Sequence, residues 1–316
     1  MRKFKFLFGS SILILILLAI LAANVGVVRF SLAQIFNFDF IFWNLRLPRI
    51  VLAILCGAGL SICGCAYQAV FRNPLCDPYI LGISSGAALG AAIALILGWE
   101  SSILGITGCA LCGGLLTVIL ILQFSRLGNR SDHSILLLSG VSLNFLLAAV
   151  LAFLMVLNQE SMDKIIFWTM GSFASASWLQ ILILTPVVLL GSLCLLFLSK
   201  PLNLLMHQPL SAQTLGINVK RTRKILLIIT TLMIAFIVSY CGVIGFAGLI
   251  VPHIVRLLVG GDHRKILPLA LVLGSAFMLL ADTLSRTILP PSELPVGSIT
   301  ALLGTPLFIF LLVKNS

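Results

Sequence analysis

The chain has 316 residues, of which 60% are hydrophobic and only 9% charged, and its mean hydropathy is +1.19. That much apolar surface cannot be hidden in one water-soluble core, and the short connections between apolar runs leave no room for a sizeable soluble domain. The formal net charge of +11 does not indicate nucleic-acid binding, because the bases sit in gaps between apolar runs and do not cluster with aromatics on a solvated face.

A helical span needs roughly 20 apolar residues to cross about 30 Å of hydrocarbon. Runs of this kind lie at roughly 6–28, 47–71, 80–99, 103–125, 134–157, 179–198, 224–241, 245–259, 266–284 and 296–313. They predict an all-α transmembrane protein of about ten helices, organised as a single domain over residues 1–316. The first run follows Arg2, Lys3 and Lys5, the charge order of a secretory signal. A signal's apolar core is only about 7 to 15 residues long and ends at a small-residue cleavage site, so this longer run is read as an uncleaved first helix.

Between the second and third runs, Arg72 and Asp77 stand among Pro74 and Pro78. Prolines stop helices and set turns, so Arg72 to Pro78 is expected to form a corner at the membrane surface. The third run opens with Gly82-Ile83-Ser84-Ser85-Gly86, which matches GxSxG. That pattern exposes a nucleophilic serine in hydrolases when it follows a strand, and an intramembrane serine protease using Ser84 with His253 as base is one alternative. The other reading gives Ser84, Ser85 and Gly86 to close helix packing or a polar constriction, since small residues let helices approach in lipid.

Cys109 and Cys112 have CxxC spacing, but no second pair or nearby histidine completes a metal site. Most of the eight cysteines fall inside predicted spans as small packing residues. His133, His207 and His263 fall in connections and form no ligand spacing with His253, so no metal site and no catalytic residue is assigned.

The longest basic connection, about 199–223, mixes apolar residues with helix starters. One or two short helices there could offer Leu210, Leu215 and Ile217 to a protein partner, or could lie on anionic lipid as an interfacial segment. The eighth run, 245–259, is too short to span at 1.5 Å per residue. Interrupted segments at membrane depth must be covered by protein or line a cavity, which places Pro252 and His253 near a pathway. His253 there has three readings: contact with a passing substrate, an iron ligand, or a hydrogen bond to a carbonyl freed by Pro252. In the ninth run Asp282 and Arg286 are four apart on one helix face, a structural ion pair or a buried functional charge. An ion-coupled secondary transporter would need a deep carboxylate, and Asp282 is the candidate.

With the N-terminus inside, fifteen of the twenty bases fall on the inner face and five (Arg29, Arg46, Arg49, Lys164, Arg286) on the outer. This asymmetry predicts an even number of spans with both termini cytoplasmic. No G-x-x-x-x-G-K-[ST] occurs, so nucleotide energy would have to come from another chain.

Three stretches, RLPRIVLAILCGAGLSICGCAYQAVFRNPLCDPYILGISSGAALG, GVIGFAGLIVPHIVRLLVGGDHRKILP and ADTLSRTILPPSELPVGSITALLGTPLFIFLL, resemble the FecCD permease subunits of type II ABC importers for iron-siderophore complexes, haem and cobalamin. The resemblance runs from the first span to Val313. It implies a type II importer permease of ten helices in a bacterial inner membrane, paired with a second permease copy. It also implies a pair of ATP-binding subunits, which would hold ATP and Mg, and an extracytoplasmic substrate-binding protein. The chain itself would be no enzyme, would bind no cofactor and would meet no nucleic acid. The family's Ala-x-x-Leu-Gly coupling pattern is matched by Ala212, Leu215 and Gly216, next to Ile217. Docking of the binding protein would fall to Arg46, Arg49 and Arg286, and the inner gate to Ser84, Ser85 and Gly86 with His133 and Ser134. Cys63, Cys65 and Cys76 stand where the family usually carries Ala, Ser or Gly.

Overall fold

The computed structural model describes residues 2–25, 40–99, 103–127, 133–207, 218–290 and 292–314, and among these it contains helices and no strand. Twelve helices follow in order: α1 (Arg2–Asn24), α2 (Leu47–Phe71), α3 (Ile83–Ile96), α4 (Ile103–Leu127), α5 (His133–Leu157), α6 (Gln159–Thr169), α7 (Trp178–Phe197), α8 (Ser199–His207), α9 (Val219–Cys241), α10 (Ala247–Val259), α11 (His263–Thr287) and α12 (Val296–Lys314). A π-helical turn, Phe42–Arg46, leads directly into α2.

Seven of these are long and apolar enough to cross a bilayer: α1, α2 with its leading turn, α4, α5, α7, α9 and α11. The shorter apolar helices α3, α10 and α12 complete the set, so every predicted run returns as a helix. α8 lies in the basic connection where short helices are expected. Nothing in the hydropathy predicts α6, whose first turn, Gln159 to Asp163, is polar.

α2 is the axis of the bundle. Every residue from Gly59 to Phe71 is buried, and α7, α9, α10 and α11 pack around it. A helix apolar on all sides belongs in an interior. In lipid, however, apolar character alone drives no helix onto another, and close backbone approach must do it. α2 meets α10 where Gly64 faces Gly248, and a Cβ on Gly64 would collide with the Gly248 backbone. α3 meets α4 in the same way at Gly86 and Gly113. At the other extreme, α5 presents Leu138, Phe145, Phe153 and Val156 outward.

The connection after α2 begins as the expected surface corner, with Pro74 and Leu75 exposed, and then departs from it. α3 starts at Ile83 and has 14 residues, about 21 Å of helix, which cannot span. The missing depth is supplied by residues 76–82, which climb back among the helices without becoming helical. Cys76 and Leu81 are fully buried, Pro78 lies beside Gly248 of α10, and the Tyr79 hydroxyl donates to the Ile244 carbonyl at 3.0 Å. The backbone groups of this stretch are satisfied locally. The Asn73 and Asp77 side chains accept from the Leu75 and Tyr79 amides at 2.9 and 2.8 Å, and Gly82 N–H donates to the Tyr79 carbonyl at 2.9 Å.

A second break separates α9 from α10, with positive φ at Gly242 and Phe246. α10 has 13 residues, confirming that this segment is too short to cross. Ser172 N–H donates to the Cys241 carbonyl at 2.9 Å, while Val296 and Gly297 N–H donate to the Gly171 and Met170 carbonyls, each at 3.0 Å. The end of α6, the end of α9 and the start of α12 are thereby stitched together.

Replacing Gly64 by valine should push α2 off α10 and destabilise the fold by about 1–3 kcal/mol or more. The measurement is a melting curve in detergent read by thiol-dye labelling of the buried Cys56, Cys63 and Cys65. Gly108→Ala, where a Cβ meets only open space, should leave the curve unchanged.

Candidate functional site

The stitched junction borders a cleft of about 260 Å³ lined by Ser84, Ser85 and Ala88 of α3, Ala148 and Leu151 of α5, Thr169 of α6, and Val243 of the α9–α10 break. Its polar groups are the two serines and the threonine. Asn144 of α5 lies close by, near Gly82, and its side-chain oxygen is buried without a hydrogen-bond partner. Periodicity does not single out Asn144, which sits inside an otherwise apolar span. Of the three α3 residues expected at a path or gate, Ser84 and Ser85 face the cleft. Gly86 faces Thr117 and Gly113 of α4 and serves close packing. His133 and Ser134 begin α5, but their side chains fall outside the described residues.

Pro252 is buried within α10. The His253 ring meets Phe308 of α12 edge-on, with centroids 6.3 Å apart, and both ring nitrogens are buried without a partner. His253 therefore does not bond a carbonyl freed by Pro252, nor is it hydrogen-bonded to Ser84 as a base would be. Ser84 itself lies in the first turn of a helix preceded by turns, where no strand-to-helix elbow exists. Among the described residues no group of three or more His, Cys, Asp or Glu could hold a metal ion, and all eight cysteines are free.

At the opposite end of α2 from Arg72, a charged cluster joins α1, α2 and α11. Arg49 Nε donates to Asp282 Oδ1 at 2.8 Å, and Arg49 Nη1 reaches both Glu293 oxygens at 2.9 and 2.8 Å. Arg286 Nε stands 3.2 Å from Asp282 Oδ2. Arg286 and Arg46 also donate to the carbonyls of Ala22 and Ala23, at 3.3 and 2.7 Å. Cations at a helix C-terminus meet its orphan carbonyls and the negative end of its dipole, so these two arginines cap α1. The three arginines assigned to docking are 8%, 8% and 9% exposed and are committed to these internal contacts. Spacing along α11 reveals Asp282–Arg286, but Arg49 lies 233 positions from Asp282 and no local pattern links them.

The foot of the bundle holds α8. Leu202 and Leu205 are fully buried, so α8 packs on the protein and does not float on lipid. Asn203 clasps the start of α11: its side-chain nitrogen donates to Asp262 Oδ1 at 2.7 Å, and its oxygen accepts from the His263 amide at 2.7 Å. Burial alone would raise the Asp262 carboxyl, but hydrogen bonds from Asn203 and the Arg264 amide, with the Arg264 and Lys265 charges, hold it below the usual carboxylate range. Arg72 ties in from α2, with Nε donating to the Leu205 carbonyl at 2.8 Å. The segment after α8, with Ala212, Leu215, Gly216 and Ile217, lies outside the described residues.

The sequence profile of the FecCD transport family matches residues 13–314. The cobalamin import system permease of Halobacterium salinarum is 42% identical over 269 residues, covering 85% of this chain and 72% of that protein. The hemin transport system permease of Yersinia pestis is 35% identical and covers 98% of this chain and 96% of its own. A solved metal-chelate type ABC transporter in an inward-facing conformation superposes with a TM-score of 0.90 at 35% identity, covering 98% of this chain and 99% of that one.

Asp282→Asn should strip the charge that Arg49 and Arg286 share and cost about 3–5 kcal/mol, the usual effect of breaking a buried pair. Glu293→Gln, at a side chain 43% exposed, should cost less than about 1 kcal/mol. Melting of both variants in the same detergent checks the ranking.

Proposed function

Because the chain belongs to the FecCD transport family and is thereby the membrane permease component of an ABC importer, we propose that it moves a bulky metal chelate, haem or cobalamin inward by alternating access. The observation that carries this reading is the near full-length superposition on a metal-chelate transporter, joined to the cleft that opens where α3, α5, α6 and the α9–α10 break converge. The relatives named for cobalamin and hemin support a large cargo. Small lining residues such as Ser84, Ser85 and Ala148 suit such a surface, because they offer room and a few hydrogen bonds without a fixed charge.

In this reading the chain sits in the bacterial inner membrane with both termini cytoplasmic, as the charge asymmetry predicts. A second copy covers the apolar face of α5, an external binding protein delivers cargo, and a pair of ATP-binding subunits holding ATP and Mg grips the cytoplasmic side. No cofactor is assigned to this chain. Coupling falls to Ala212, Leu215, Gly216 and Ile217, which follow α8. The Asn203 and Arg72 contacts of α8 supply a stiff path from that segment to α11 and α2, so that a displacement below becomes a rotation of helices above. Docking of the binding protein by Arg46, Arg49 and Arg286 would act through the rim that their ion cluster shapes, with Glu293 its most exposed member. An ion-coupled carrier is disfavoured, because Asp282 is clamped between two arginines within an ion cluster.

The test is uptake by vesicles reconstituted with the cognate binding protein and ATP-binding subunits, comparing haem, a ferric siderophore and cobalamin. ATP-dependent uptake of one of them is expected. Leu215→Asp should abolish it at normal protein level while substrate-independent ATP hydrolysis persists. Uptake that continues without the ATP-binding subunits under an ion gradient would overturn the reading.

A further inference from the structure

Arg72 ends α2 in a left-handed conformation, φ 52 and ψ 33, at a position where glycine would be free of strain. A residue held in such a region points to a functional demand on its side chain. Its Nε is spent on the Leu205 carbonyl, but Nη2 is buried with no hydrogen-bond partner. Arg223 belongs to α9, which packs against α2, and it carries a like charge. Arg223 Nε is likewise buried and unpartnered. Two like charges with inward, unsatisfied donors are destabilised by each other and by desolvation, and one anion would relieve both.

The chain cannot supply that anion from its neighbouring segment, because residues 208–217, QPLSAQTLGI, contain no acid. Gln68, one turn before Arg72 on α2, already accepts from Arg256 at 2.9 Å. Nor does the site face lipid. Arg223 shares a helix face with Leu226, Leu227 and Thr230, all buried, whereas Ile225 and Ile228 take the lipid side. The site is flanked by α8, immediately before the coupling segment.

We propose that Arg72 and Arg223 form a receptor for one carboxylate side chain of the ATP-binding subunit, a charged anchor next to α8. This rests on the importer reading above and extends it to a second contact. Arginine forks accept a carboxylate through paired hydrogen bonds, and a single acidic finger seated there would fix the register of the partner against α2 and α9, while the coupling segment transmits its motion.

The experiment measures the affinity of the cognate ATP-binding subunits for the permease in nanodiscs, one set of phosphatidylcholine alone and one containing phosphatidylglycerol. The wild-type affinity should fall with rising salt. The double variant Arg72→Gln, Arg223→Gln should bind about 30-fold more weakly or worse, equally in both lipids, and the double lysine variant, which restores the charge without the fork, should recover only part of the loss. A double glutamine variant that binds like wild type overturns the proposal. So does a loss confined to the phosphatidylglycerol discs, which would assign the site to a lipid phosphate. If the wild-type chain binds no ATP-binding subunit in either lipid, the importer reading itself fails, a distinct outcome. Should glutamine unfold the protein, charge exchange decides: Arg223→Glu should regain a partner carrying one acid-to-lysine change, and failure of every such exchange overturns the anchor.

Discussion

The bilayer interior offers no water to an unpaired N–H or carbonyl, and two apolar helices of this bundle, α3 and α10, are too short to cross it. Their broken ends must therefore find partners inside the protein, and most of the architecture follows from how they do so. The break before α3 and the break before α10 meet through Tyr79 and Ile244. The start of α12 closes the end of α6 with two amide donors from Val296 and Gly297. Irregular backbone at depth is thus gathered into one place, and that place borders the cleft.

The two ends of α2 solve a different problem, the burial of charge. At one end Arg49, Asp282, Glu293 and Arg286 neutralise one another, and the spare donors of Arg46 and Arg286 cap α1. Both carboxylates there are held by arginines, so the cluster works as a brace. At the other end Arg72 and Arg223 have none among the described residues. The first arrangement is complete within the chain, and the second is the one for which we have proposed a partner's carboxylate. That contrast fits a permease whose outer half must hold shape while its cytoplasmic foot is gripped and moved.

Between the ends, α2 is held by contacts that tolerate no side chain. Gly64 against Gly248 and Gly86 against Gly113 bring backbones together, so the helix pairs α2/α10 and α3/α4 move as units. The freedom left to the molecule lies at the breaks beside them, where Gly242 and Phe246 adopt positive φ. Closely packed pairs joined by short irregular segments are the elements that the proposed alternating access would use.

Much of this was legible in the residues alone. Ten apolar runs, the charge asymmetry and the family motifs are local or compositional properties, and they yielded the all-helical class, the span count and the family. The shortness of α10 was also readable, because a length is counted along the chain. Other features were not. The climb of residues 76–82 into the bundle was hidden because prolines and an Asx turn mark a corner without telling its depth. Gly86 could be told from Ser84 only by which neighbour each faces. The Arg49 clamp on Asp282 and Glu293 joins positions 233 and 244 apart, and such pairings leave no periodic trace. Sequence by itself determined that this chain lives in a membrane and to which family it belongs, since hydropathy and motif act residue by residue. Only the tertiary structure decided which charges are satisfied within the chain and which are not, because that depends on what a fold brings within about 3 Å.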